Sequence, residues 1–321
     1  MSRTSRRTRA AFGMGTVGVL LAAVAAAPVH AQDQGRRPVL GGHRFVWNPL
    51  TETPFAQTHV RNLTGGGKFT GVEFVPEIDL GDGRVLAPIR GDLLFAELEF
   101  EYMHRVQPWL GVWARLGGIA RVGTDTGALL AQGVTAIFGY DIGWLFRLYH
   151  NDRFILSGIA ALSDDGVTDV NLLRWVRGVI AETGDPLVSA GPRLRGRTGL
   201  RAGWGINESW GMQFKSELGY GESTVLGSDL EWLWDHAVSL SYDLYPAKDI
   251  PLGFTLSGAS RSSPREGGRP GVRSRDFALR TAFTASGSYL IALDTSWNGL
   301  DLADGDSVGL VRAGLALQLF F

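Results

Sequence analysis

Polar and apolar residues alternate with a period of two along most of the chain. The terminal segment shows this plainly: Val311, Ala313, Leu315, Leu317, Leu319 and Phe321 fall on one face of a strand, and Arg312, Gly314, Ala316, Gln318 and Phe320 on the other. Trp210, Met212, Phe214, Ser216, Leu218 and Tyr220 alternate with Gly211, Gln213, Lys215, Glu217, Gly219 and Gly221. Leu94, Ala96, Leu98, Phe100 and Tyr102 alternate with Phe95, Glu97, Glu99, Glu101 and Met103, and Thr198, Leu200, Ala202, Trp204 and Ile206 oppose Arg195, Arg197, Gly199, Arg201 and Gly203. Such charged faces do not suit a soluble core, whereas a wet lumen with lipid on the other side of the wall accommodates them.

The pattern predicts about twelve strands, over 68–80, 91–105, 109–123, 131–149, 153–162, 193–206, 210–221, 230–245, 250–260, 275–286, 288–298 and 307–321. Tight links at 106–108, 150–152, 207–209, 246–249 and Gly287 alternate with longer ones at 81–90, 124–130, 163–192, 222–229, 261–274 and 299–306. An even strand number with short turns at one end and long loops at the other predicts an all-β fold. That fold is a single antiparallel transmembrane β-barrel covering 68–321, with periplasmic turns and external loops. The longest loop carries one helical pattern, with Leu172, Leu173, Val176, Val179 and Ile180 at helical spacing, Thr168 or Asp169 as cap, and Gly184 and Pro186 as stop. A helix this apolar is expected to cover or enter the barrel mouth; contact with lipid headgroups or a neighbouring protomer is the alternative.

The terminal strand, apolar outside and polar inside and ending in Phe321, resembles the closing strand of Gram-negative outer-membrane β-barrels. The resemblance implies surrounding outer-membrane lipid and recognition of the last strand by barrel-assembly machinery; no narrower family is recognised. Residues 1–31 fit export: Arg3, Arg6, Arg7 and Arg9 precede an apolar run, and Val29-His30-Ala31 offers a cleavage site, so a removable signal peptide is expected. Residues 32–67 are rich in Pro and Gly without sustained alternation. They either hang in the periplasm or plug the lumen, and Phe45, Trp47 and Phe55 favour insertion.

Composition narrows the classes. Hydrophobic residues make up 45%, charged ones 20%, and mean hydropathy is +0.03, which leaves no series of apolar runs for membrane helices. There is no Cys, so Cys-ligated metal sites are excluded. Bases and acids number 31 and 32; without residues 1–31 they number 27 and 32, so charge offers no support for nucleic-acid binding. Ten Trp residues test the strand map. By phase, Trp144, Trp204 and Trp210 face outward near periplasmic ends, and Trp232, Trp234 and Trp297 near external ends, as aromatic girdles do. Trp109 and Trp113 fall on the inner face, where they either fill the lumen or mark a register error.

The expected lumen is lined by Glu97, Glu99, Glu101, Arg115, Asp141, Arg195, Arg197, Arg201, Lys215, Glu217 and Arg312, joined by Glu73, Arg121, Arg147, Arg193, Asp235, Asp243, Arg280 and Asp294. Acids on the early strands and an arginine ladder on later ones would set up a field across the lumen. That predicts a narrow or gated channel for small polar or charged solutes. The alternative is a closed structural or surface-binding barrel filled by ion pairs, since twelve strands lie between filled small barrels and open porins. A third reading is a hydrolase: Ser216 and His236 share the outward phase, which resembles the lipid-facing Ser–His pair of outer-membrane phospholipase A. That family's motif and a third orienting group are both missing, so no enzyme is expected. No cofactor pattern is present, and Asp301, Asp304 and Asp306 do not match a calcium loop. Arg261, Arg265, Arg269, Arg273 and Arg275 form a basic external loop suited to lipopolysaccharide phosphates.

Overall fold

A computed structural model describes residues 36–46, 48–74, 89–123, 134–170, 188–191, 194–222, 230–262, 273–301 and 307–321. A two-stranded hairpin, Val39–Leu40 (β1) and His43–Arg44 (β2), precedes the barrel. Twelve antiparallel strands close the wall: His59–Phe74 (β3), Ile89–Gln107 (β4), Leu110–Gly123 (β5), Val134–His150 (β6), Phe154–Val170 (β7), Leu194–Gly205 (β9), Trp210–Glu222 (β10), Leu230–Asp243 (β11), Leu252–Ser262 (β12), Arg273–Phe283 (β13), Tyr289–Asp301 (β14) and Ser307–Phe320 (β15). Val188–Gly191 (β8) extends the line of β9 along β7. Each strand pairs with its sequence neighbours, and β3 with β15 completes the circle, so no wall edge is left unpaired.

The pairing register gives the stagger. From Gly205 in β9, cross-strand partners run through Gly211, Ser241, Thr255, Arg280, Asp294, Gly314, Gly65, Glu97, Ile119, Ile137 and Val167. They return to the starting strand line at Gly191, 14 residues away. Twelve strands with that stagger tilt by about 40° to the barrel axis.

The first strand starts at His59 rather than 68. Gly65-Gly66-Gly67 reads as a loop in sequence, yet it pairs with Phe95, Ala96 and Glu97 on β4 and with Ala313, Arg312 and Gly314 on β15. The outward positions Asn62 and Thr64 are polar, so the apolar signal of this strand is weak. β7 also runs past the expected 162, so Thr168 and Asp169 are strand residues rather than helix caps. The helix expected from Leu172 to Ile180, Arg193, Asp304, Asp306, Arg265, Arg269 and the signal segment lie outside the described residues. A short helix, Tyr245–Lys248 (α1), occupies a periplasmic turn.

Three of the tight turns share one device. The side-chain oxygen of Asn151 accepts the backbone N–H of Arg153 (2.9 Å) and Phe154 (2.7 Å), and that of Asn207 accepts Ser209 and Trp210 (both 2.9 Å). Ser286 does the same for Ser288 (3.2 Å) and Tyr289 (3.3 Å). These are Asx- and Ser-type turns that satisfy backbone donors where the ladder stops.

Candidate functional site: the lumen and its plug

Residues 36–46 and 48–58 lie inside the half of the barrel that carries the tight turns, and Trp47, expected to favour insertion, lies outside the described residues. Gly41 and Gly42 have φ of 58° and 85°, the left-handed pair that a two-residue hairpin turn needs. The hairpin lays Leu40, Phe45 and Phe55 against Ile155 of β7, while Val46 packs among Leu63, Ala282, Leu290, Ala292, Ala316 and Phe320. Ala56 rests on Met103, Trp113, Leu145, Ile159 and Ala161. The wall makes room for it: a Cβ at Gly205 would strike the Leu40 carbonyl, and one at Gly211 the His43 ring. Burying each large apolar side chain contributes about 1.5–3 kcal/mol.

Polar ties fix the plug to the wall. The Arg37 guanidinium donates to the carbonyls of Thr284 (3.0 Å) and Phe45 (3.2 Å). His43 Nε2 meets Ser241 Oγ at 2.8 Å and its Nδ1 meets the Glu208 carbonyl at 3.2 Å. Ser157 donates to the Pro54 carbonyl (2.7 Å) and Thr255 to that of Val46. Burial pushes the His43 imidazole down to about 4, outweighing the opposing pull of the Glu208 carbonyl and Asp243.

Above the hairpin, Asn48 organises a tight turn. Its side chain accepts Leu50 N–H (2.8 Å), its carbonyl accepts Thr51 (3.2 Å) and Glu52 (3.1 Å), and Glu52 closes the turn at φ 55°. This swings the Glu52 carboxylate onto Arg201, Arg115 (3.2 Å) and Lys215 (3.8 Å). Burial alone would raise the Glu52 carboxyl, but Arg201, Arg115, Lys215 and Arg197 hold it well below the ordinary carboxylate range.

Glu97, Glu99, Glu101, Arg115, Asp141, Arg195, Arg197, Arg201, Lys215, Glu217 and Arg312 take the inward phase, while Arg193 and the side chain of Glu73 lie outside what is described. Their arrangement differs from segregated walls. Arg115 meets Glu101 (2.7 Å) and Asp141 (3.6 Å); Arg197 meets Asp141 (2.6 Å) and Glu217 (2.9 Å); Arg201 meets Glu217 (2.8 Å). Lys215 meets Asp235 (3.0 Å), Arg312 meets Glu97 (3.3 Å), and Arg61 bridges Glu99 and Glu101. Acid and base interleave because a charge with little water around it is stable only beside a partner. Arg61 and Glu52 are invisible to a reading that starts the barrel at 68. The signal that could have found Arg61 is the alternation His59, Arg61, Leu63 against Val60, Asn62, Thr64.

Trp113 is 1% exposed; it donates to Asp141 (3.3 Å) and stacks under Arg201, so it fills the lumen. Trp109 is 51% exposed in the β4–β5 turn and does not line the lumen. Trp144, Trp204, Trp210, Trp232, Trp234 and Trp297 are all exposed on the outer face. Ser216 and His236 are cross-strand partners on the outward phase, but no described hydrogen bond joins them, and the His236 ring packs edge-on against Trp234.

A cavity of about 430 Å³ lies on the external side of the plug. Pro49, Leu50 and Glu52 form its floor, and Glu97, Glu99, Arg115, Asp141, Arg195, Arg197, Lys215, Glu217 and Arg312 are among its walls. The lumen thus has a sealed lower half and a hollow, charged upper half.

An outer-membrane channel from Pseudomonas putida F1 is similar in fold, with a TM-score of 0.51 at 9% identity, over 86% of this chain and 100% of that one. The fold is that of an outer-membrane β-barrel. Two other barrels also align: the β domain of the Bordetella autotransporter BrkA (TM-score 0.49, 8% identity, 83% of this chain and 100% of that one) and the translocator domain of NalP from Neisseria meningitidis (0.48, 10%, 83% and 88%). No family model matches the sequence, and no curated protein matches it.

Proposed function

We propose that the barrel is a gated channel for small polar or charged solutes, with residues 36–58 as the gate. The observation that carries this is the division of the lumen: a charged cavity stands over a plug seated on the wall through Glu52 and a handful of hydrogen bonds. The plug is an N-terminal extension of β3 rather than a wall strand, so moving it leaves the ladder intact. The alternating charges suit conduction of polar solutes, because with the plug displaced Arg115, Arg197, Arg201 and Lys215 still face wall carboxylates. The exposed Phe321, whose N–H bonds the Thr58 carbonyl at 3.1 Å, suits the assembly signal expected of the last strand. Arg275, exposed on the outward phase of β13, suits lipopolysaccharide phosphates, whereas Arg261 faces the lumen on Asp235.

Single-channel conductance in planar bilayers tests this, comparing the intact protein with a variant lacking 36–56. The expected result is a mostly silent intact barrel and steady, charge-selective openings after deletion. Silence in both, from barrels shown to be folded, overturns the channel and leaves a closed surface barrel.

A further inference from the structure

The lumen holds one carboxylate that belongs to no strand of the wall. Glu52 is carried in by the plug and held at a positive φ that side chains other than Gly rarely adopt. Among the described residues, linked ion pairs join six bases (Arg61, Arg115, Arg197, Arg201, Lys215 and Arg261) to six acids, and five of those acids come from the wall. Without Glu52 this network has one base more than it has acids, in surroundings where an unbalanced charge is costly. The cavity ends on Glu52 itself, and Arg115, Arg197 and Lys215 also line it, so a solute in the cavity reaches these three cations, while Arg201 stays buried.

We propose that the cavity binds small carboxylate solutes, and that a solute carboxylate takes the place of Glu52 on Arg115 and Lys215 and frees the Asn48–Glu52 turn. Arginine forks match a carboxylate in two parallel hydrogen bonds, and the cavity volume lies within the range of small-molecule sites. The cavity volume of about 430 Å³ limits the class to small acids. The inference deepens the gated-channel reading by naming its solute and its trigger. The binding step is measurable apart from flow.

The probe is succinate at neutral pH, titrated by calorimetry into the detergent-solubilised protein and its Glu52→Gln variant. In the native protein Glu52 competes for the site and lowers the apparent affinity; its removal is expected to tighten succinate binding by about tenfold or more. In parallel, amide hydrogen exchange over 48–56 of the native protein is expected to accelerate with saturating succinate and not with chloride at equal ionic strength. Unchanged affinity in a folded Glu52→Gln variant overturns the proposal, and so does exchange indifferent to succinate. If the variant does not fold, the exchange measurement on the native protein decides. Tighter succinate binding in a barrel that never conducts would sink the channel and keep the anion site; conduction without any succinate effect would do the reverse.

Discussion

The two halves of the lumen are built from the same alternating strands and differ in what the inner face carries. Towards the periplasm the inward positions are small or apolar, such as Gly205, Gly211, Ser241, Ala282, Ala292 and Ala316, and they close around the plug in three apolar clusters. Towards the outside they are long and charged, and they stand around open space. Strand register fixes which residues face inward, but side-chain size decides whether the inside is a core or a vestibule. Glu52 sits at the boundary, part of the plug and also an anion of the vestibule.

If the contrast is real, equal chemical changes must cost unequally in the two halves. Arg201→Ala, at the boundary, takes away the cation shared by buried Glu52 and Glu217 and is expected to cost about 3 kcal/mol in denaturant unfolding of the folded barrel. A loss below 1 kcal/mol would mean that water reaches the boundary freely. Acid should act on the lower half through His43. Its folded-state value near 4 lies below the ordinary unfolded value, so the free plug takes up a proton first. Seating is therefore fully stable above about pH 6.5 and weakens as pH falls towards 4, by up to about 3 kcal/mol. Proteolytic nicking of 36–58 measured across that window should rise towards acid pH, and the rise should flatten in His43→Asn. In the upper half, Arg312→Gln breaks a pair with Glu97 that is less buried (24% and 9% exposed) than Arg201 with Glu217, and should change stability by about 1 kcal/mol. An unfolding cost close to that of Arg201→Ala would erase the distinction.

Much of the wall was legible because period-two patterning is a property of the strand itself: the phase of β10, β14 and β15 and the outward Trp residues follow from sequence. The tight turns were legible as short links. What escaped depends on contacts between distant segments. The Gly-rich start of β3 looks like a loop until β15 pairs with it, and Glu52 is an isolated acid in a Pro- and Thr-rich stretch until folding brings it to Arg115 and Arg201. The mixing of acid and base around the lumen is illegible for a related reason: ion pairing depends on the stagger between strands, which links Arg115 to both Glu101 on one side and Asp141 on the other.

The seam between β3 and β15 joins opposite ends of the sequence, with His59 facing Phe320. Contacts so distant in sequence are slow to form, so the seam is expected to zip last. The plug is the first described part of the chain to be synthesised, and its root at Thr58 bonds the N–H of Phe321 across that same seam. Until the seam closes the plug has no enclosed space to occupy, and afterwards its root is part of the closure. The segment proposed as the gate of the finished barrel is therefore also tied into its clasp.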